Sequence, residues 1–341
     1  MPDHAPEISV YSSIDEVDQD QWSAVIRAAT APAFYDYAFV RAYERVPLQH
    51  TESFIYLIFG DPPVAVLPAY VQGTDDPAGY ISGLGLPDRR PGDRILMTHV
   101  THCYDTLIPA RPECLTQELA DQVCAALADV ARQSRVKWFA FLNVDGTGTT
   151  ASRLTAAGLM KFAMNTRFSK DVTAYPSAED YVADIPSSKA RRKFRTSLHQ
   201  ASRAGMTVSA LDPVREAAGA VDLCRRTTAR HGTAGYYPDH FGEFIALAGE
   251  LVNITEVRIG GRLASAAISL CDATRFHLWA GGIDYEFTRG IDSSFPLMLR
   301  PAIEETIRTR RTTLEAGRSN ARAKLRFRLE PIPLFAFVCR A

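Results

Sequence analysis

The chain has 341 residues, is 46% hydrophobic and 23% charged, and carries a formal net charge of −1. That length is enough for about two domains with full cores, and the composition excludes collagen-like, coiled-coil, long disordered and small disulfide-stapled classes. The charge is uneven: residues 1–170 carry 14 basic and 20 acidic side chains, residues 171–341 carry 24 and 19, so a polyanionic ligand is expected to meet the second half.

In chain order, residues 15–29 and 36–45 have helical spacing. Phe54–Phe59 and Val64–Val71 are apolar runs split by Gly60-Asp61-Pro62-Pro63, which predicts a hairpin. Gly79–Arg94 is a loop rich in Gly and Pro, and its GLGLPDRR run (83–90) follows no clear strand, so it is not read as a dinucleotide loop. Leu119, Val123, Leu127 and Val130 predict a helix over 115–134, and Trp138–Val144 a buried strand.

The second half starts near Lys170. A short acidic helix lies between Pro176 and Pro186, and a helix over 187–205 runs from Ser187 to Gly205. Helical patterns follow at 212–231 and 238–251. Strands are expected within 253–270 around Gly260-Gly261, and at 275–280 ending on Gly281-Gly282. Helix 295–310, strand 313–316, a basic helical connector and strand 334–339 complete the chain. The first half reads as mixed α/β, the second as α+β with a mostly antiparallel sheet flanked by helices. The expected division is 1–170 and 171–341.

The first twenty residues have no basic region leading into an apolar run, and no stretch reaches about 18 uncharged apolar residues, so a cytoplasmic location without a membrane span is expected. The six cysteines have no metal-ligand spacing, and no metal is expected.

Helix 187–205 carries six Lys/Arg and no acid, with Ala190, Phe194, Leu198 and Ala201 on the opposite stripe. Like charges at this spacing repel, and a polyanion such as RNA would relieve them while releasing its own counterions. Lys189, Arg191, Arg192, Lys193 and Arg195 are the candidate phosphate contacts; the alternative is a solvated basic face. In the C-terminal run, Arg318 and Asn320 follow a strand end at Gly317, with Lys324 further on. Between helices, His231 and Tyr237 could exchange a proton. The segment 279–296 has too few glycines for a pyrophosphate cradle; Trp279, Asp284 and Arg289 in it, with Phe276 on the strand before it, are assigned to the substrate.

The basic helix, ARHGTAGYYPDHF (229–241), the strand pair 259–284, RGIDSSFPLMLRPAIEETI (289–307) and EAGRSNARAKLRFRLEP (315–331) together resemble the FemABX-like branch of the GNAT acyltransferase superfamily. That branch carries an S-P-G loop opening a helix and a D-F-G…K-R-x-F/W-G close. Ser294-Phe295-Pro296 and Glu315-Ala316-Gly317 with Lys324, Arg326 and Phe327 correspond. The departures are Leu297 in place of the loop glycine, and Arg322-Ala323 where an acid often precedes the lysine. The resemblance covers about 175–341 and implies tandem GNAT-like domains, the first diverged. It further implies transfer of an aminoacyl group from charged tRNA to an amine, hydroxylamine or hydroxyl of a small metabolite or peptide, with no cofactor beyond that co-substrate. Arg318, Asn320 and Lys324 would stabilise the tetrahedral oxyanion, and Tyr237 or His231 would shuttle the proton. An acyl-CoA-dependent N-acyltransferase, and a non-catalytic RNA- or carrier-binding protein on the same fold, remain open.

Overall fold

The structure is a computed structural model that describes residues 7–73, 81–84, 86 and 93–341. Most of the 79–94 loop read from the sequence, including most of GLGLPDRR, lies outside the described residues. The elements in order are β1 (Ile8–Tyr11), α1 (Gln19–Ala28), α2 (Tyr37–Arg45), β2 (Thr51–Phe59), β3 (Ala65–Gln72), β4 (Ile95–Met97), α3 (Gln117–Gln133), β5 (Trp138–Asp145), α4 (Thr149–Ala156) and β6 (Met160–Asp171). Then come α5 (Ala178–Ala183), α6 (Ser188–Arg203), β7 (Met206–Leu211), α7 (Ala218–Arg230), α8 (Phe241–Ala248), β8 (Val252–Ile259), β9 (Arg262–Cys271), β10 (Arg275–Ile283), α9 (Phe295–Arg308), β11 (Thr313–Glu315), α10 (Ala321–Arg326) and β12 (Glu330–Arg340).

The chain forms two compact units, Met1–Asn165 with Pro333–Ala341, and Thr166–Ile332. This differs from the sequential division at 170/171. The C-terminal strand returns to the first unit, where Leu334–Arg340 pairs with β5, a long-range pairing that no local pattern announces.

In the first unit the strand order is β1-β2-β3-β4-β5-β12, antiparallel except for parallel β4–β5. In the second it is β7-β8-β9-β10-β11-β6, antiparallel except for parallel β10–β11. Each unit thus repeats one succession of pairings: three antiparallel, one parallel, one antiparallel. A mostly antiparallel sheet with helices is what the residues of the second half lead one to expect, and what the family resemblance implies for the first.

Helix α6 forms for the reasons its sequence suggests. The Ser187 hydroxyl accepts the Ala190 N–H at 3.3 Å, and Gly205 at φ +79° ends it. Ala190, Phe194, Leu198 and Ala201 are buried in a core with Phe276, Leu297, Leu314 and Phe327. Full burial of a ring such as Phe194 stabilises by about 1.5–3 kcal/mol.

The structure corrects several boundaries. β1, β4, β6, β7 and α4 are elements the sequence reading lacks. β7, Met206–Leu211, is exposed along most of its length; its sequence alternates apolar and polar residues, but the run is short and neither set is buried. β10 does not stop at Gly281-Gly282 but continues to Ile283. These glycines give room rather than a turn. A Cβ on Gly282 would sit 2.7 Å from the Cys224 nitrogen of α7, and one on Gly281 2.7 Å from the Met298 sulfur of α9.

Candidate active site

In the second unit β10 and β11 run side by side only through Arg275–His277 and Thr313–Glu315. Beyond that, β10 continues while the chain leaves β11 through Gly317 at φ +67°. The strands therefore part. The β10–β9 register shifts between Leu278 and Ala280, placing Trp279 at an irregularity, a device that re-aims side chains beside sites.

A connected group spans these strand ends. The buried Arg318 guanidinium donates to the Tyr236 hydroxyl at 2.7 Å. The Tyr236 and Tyr237 rings meet edge to face at 4.9 Å, and the Tyr237 hydroxyl donates to the Trp279 carbonyl at 3.4 Å. Phe241 stacks on Tyr237 at 4.4 Å and, with Phe244, packs on Trp279. The result is one guanidinium and two phenols beside an apolar wall, groups able to orient a carbonyl and hold developing negative charge.

Lys324 lies under the same loop. It is 4% exposed, and its Nζ donates to the Gly317 carbonyl at 3.1 Å and to the Arg318 carbonyl. Burial first, then the Arg318 charge, bring its pKa down to about 7 against the opposing pull of Glu315. A neutral amine has two N–H groups, which match the two carbonyls. The backbone it ties is unusual: Ser319 and Asn320 both have positive φ, +49° and +52°, a conformation that asparagine tolerates and other side chains resist. Because the folded chain favours the neutral amine, this group's contribution to stability rises as pH climbs from about 7 towards the ordinary lysine value near 10.4, and is lost as pH falls through that range. Urea melts at pH 7 and pH 9 are expected to show a larger gain for the native chain than for Lys324→Met; equal gains would contradict this.

Below the loop, Glu315 and Arg167 form a buried ion pair at 2.7 Å. The fully buried His277 shares a 2.8 Å hydrogen bond with Asp272. Burial alone would raise the Asp272 pKa, but His277 and backbone N–H groups carry it down to about 2.

The other candidate residues are dispersed. Asn320 is exposed at the start of α10. His231 is exposed and meets the Tyr285 hydroxyl at 3.2 Å, away from Tyr237. Phe276 is 1% exposed in the core with α6 and α9 and does not share the wall that Trp279 forms. Asp284 accepts from the Phe287 N–H at 2.9 Å and pairs with Arg262 at 3.0 Å, while Arg289 pairs with Glu286. On α6, Arg191 donates to the carbonyls of Ile185 and Pro186. Arg195 holds Glu179, with its Nε at 2.9 Å, and Lys193 lies 3.8 Å from Asp292. Lys189 and Arg192 are exposed and, among the described residues, have no ion-pair partner.

Two residues beside this region were not singled out from the sequence, Ser197 and Gln200. The Ser197 hydroxyl accepts the Ser293 N–H, and the Gln200 carbonyl oxygen the Asp292 N–H, each at 3.0 Å. Leu297 donates to the Ser294 carbonyl, and Pro296 has no N–H. From Asp292 to Leu297, the stretch that leads into α9 and where an anion would be cradled, three N–H groups are thus in use and one position has none. A serine on the apolar stripe of α6 was the available signal.

The first unit has the counterpart of this gap and fills it with its own chain. β4 and β5 pair at Leu96–Met97 with Phe139–Ala140. The segment 98–108 then runs along β5, with the Thr98 N–H on the Ala140 carbonyl and the Thr106 N–H on the Asn143 carbonyl, both at 3.1 Å. Tyr35 clasps Leu107 through both its N–H and its carbonyl, and His99 bonds the Phe34 carbonyl at 2.7 Å. Burial drives the His99 pKa to about 3, so it stays neutral. Equilibrium titration with an acyl donor is therefore expected to give one site per chain; two would contradict this.

Among the described residues no group of three or more His, Cys, Asp or Glu could hold a metal ion, and no helix is long and apolar enough to cross a membrane.

Residues 188–325 match the family described as an acetyltransferase (GNAT) domain. No curated protein matches the chain. Among solved structures, FemX superposes with a TM-score of 0.65 at 10% identity, over 95% of this chain and 96% of that one. The C-terminal domain of a putative lysylphosphatidylglycerol synthetase from Agrobacterium fabrum gives 0.60 at 14%, over 96% and 92%. A tandem GNAT protein from the clavulanic acid biosynthesis pathway gives 0.57 at 14%, over 98% of each.

Proposed function

With residues 188–325 matching a GNAT domain and the whole chain on a tandem GNAT fold of the FemX kind, we propose that the second unit moves an aminoacyl group from charged tRNA to an amine, hydroxylamine or hydroxyl acceptor. The observation that carries the donor assignment is the start of α9. In the turn leading into it the N–H groups of 292 and 293 are taken by Gln200 and Ser197; within it Pro296 has none and that of Leu297 bonds Ser294. That leaves a poor cradle for the pyrophosphate of an acyl-CoA. A tRNA donor needs no such cradle and is held through its phosphates instead.

The ester in charged tRNA is already activated, so the protein's part is alignment and charge stabilisation. Fixing the acceptor against the ester carbonyl can contribute several kcal/mol, up to ~7–11 in ideal cases. The acceptor nitrogen or oxygen bonds to the ester carbonyl carbon while Arg318 faces the developing oxyanion; the bond to the tRNA ribose oxygen then breaks, and Tyr237 relays the acceptor's proton to that leaving oxygen. Lys324 holds the loop that presents Arg318. Lys189 and Arg192 make the phosphate contacts; Arg191, Lys193 and Arg195, engaged by neighbouring oxygens, contribute less.

Filter binding of charged tRNA across a salt series tests the grip. Lys189→Glu with Arg192→Glu is expected to weaken binding at least tenfold and flatten the salt slope by about 1–2. Unchanged affinity and slope would remove the tRNA assignment.

A further inference from the structure

Two adjacent arginines of α7 meet different partners. Arg226 pairs with Asp222 one turn back on its own helix, both of them exposed, an ordinary solvated pair of little energetic weight. Arg225 reaches off the helix. Its Nε donates to the Tyr237 carbonyl at 3.3 Å, and a terminal nitrogen holds the Asp239 carboxylate.

The loop it reaches is the one that carries Tyr236 and Tyr237. The start of that loop is tied at Thr233, whose N–H donates to the Thr228 carbonyl at 3.0 Å and whose carbonyl accepts the Tyr236 N–H at 3.1 Å. Around it there is open space: a Cβ on Gly232 or on Gly235 would meet no atom within 4 Å. Pro238 follows Tyr237 and has no N–H to offer. Arg225 thus grips the main chain between the hydrogen bond that joins Tyr236 to Arg318 and the contact of Tyr237 with the Trp279 carbonyl.

From this grip we infer that Arg225 is a positioning residue for the transfer reaction proposed above, the reading on which this inference rests. Its hydrogen bonds go to a main-chain carbonyl and to Asp239 rather than to either phenol. It acts through the loop, keeping Tyr236 where it orients Arg318 and Tyr237 where it relays the proton. A forked guanidinium suits the place, because two of its nitrogens bond two different acceptors in a fixed geometry that a lysine ammonium on its flexible stem does not reproduce. The Asp239 carboxylate is 92% exposed, so the ion pair adds little by itself. The bond to the Tyr237 carbonyl does the positioning.

The test uses the full chain and a mixed pool of aminoacyl-tRNAs labelled in their amino acids, with a panel of amine and hydroxyl acceptors. Arg225→Ala is expected to lower kcat about tenfold or more while KM for tRNA stays within about threefold, since alignment is lost and binding is not. The Arg225 side chain is 38% exposed, so millimolar guanidinium chloride should restore much of the rate where equal sodium chloride does not, and should leave Tyr236→Phe unrepaired. Arg225→Lys, which keeps the charge but not the fork, is expected to lose rate as well. Hydrogen exchange read by mass spectrometry should quicken across 232–240 in Arg225→Ala and stay unchanged across 98–108 in the first unit, which also checks that the fold persists. A native chain that moves no label from tRNA refutes the proposed reaction, and this inference with it, before any variant is compared. With an active native chain, the assignment to Arg225 alone is overturned if Arg225→Ala keeps its kcat, if the loss lies only in KM, if guanidinium does not repair it, or if exchange across 232–240 is unchanged.

Discussion

Replacing Arg318 with alanine is expected to lower kcat/KM by about 10²–10³ while the chain stays folded, the usual effect of removing one donor to a developing oxyanion. Arg318 is the charged end of the connected group that bridges the parted strands, through Tyr236 to Tyr237 and Trp279. Tyr236→Phe removes only the hydroxyl that orients the guanidinium. Its expected effect is smaller, about 10–100-fold, since a hydrogen bond to a charged group is worth about 1.5–3 kcal/mol. Steady-state kinetics on both variants, with melting curves as controls, checks the order. An Arg318→Ala enzyme within threefold of the native rate would place the chemistry elsewhere.

Glu315→Ala is expected to be the most damaging single change to the fold of the second unit. It leaves Arg167, whose side chain is 7% exposed, without the carboxylate it holds at 2.7 Å. Breaking a buried pair from one side typically costs about 3–5 kcal/mol, whereas replacing both partners with apolar groups is often nearly neutral. Urea unfolding of Glu315→Ala, and of Glu315→Leu combined with Arg167→Met, measures this. The single variant should lose several kcal/mol and the double variant recover most of it. A single variant of native stability would show that the pair does not hold β6 to β11.

Much of the second unit is legible in the sequence because its helices obey local rules. α6 has a serine cap, an apolar stripe and a terminal glycine, and α9 and the β8–β9 turn at Gly260-Gly261 are similarly marked. What is not legible depends on distant residues. The return of β12 to the first unit is decided by pairing with β5, nearly two hundred residues away. β7 is a short exposed edge whose alternation buries neither face, and β6 mixes charge into its pattern because Arg167 and Lys170 find carboxylates on later segments.

The site is legible only in part for the same reason. Arg318, Tyr237 and Trp279 are brought together, but His231 and Phe276 are not. Lys324 sits in a basic run that looks like surface, yet it is buried beneath the loop it ties down. The arginines of α6 read as one basic face. In the fold, Arg191 holds backbone carbonyls and Arg195 a neighbouring glutamate, so the face is smaller than its sequence. The filling of the first unit's gap by 98–108 is invisible in the sequence because it is built from hydrogen bonds among short, irregular pieces.

The donor class is the hinge of this account, and one competition decides it. The purified chain is given aminoacyl-tRNA labelled in its amino acid and acyl-CoA labelled in its acyl group, in the same tube with a panel of amine, hydroxylamine and hydroxyl acceptors. The amino-acid label is expected to leave the tRNA for an acceptor while the CoA label stays in place. Consumption of the CoA label with the tRNA ester untouched would contradict it.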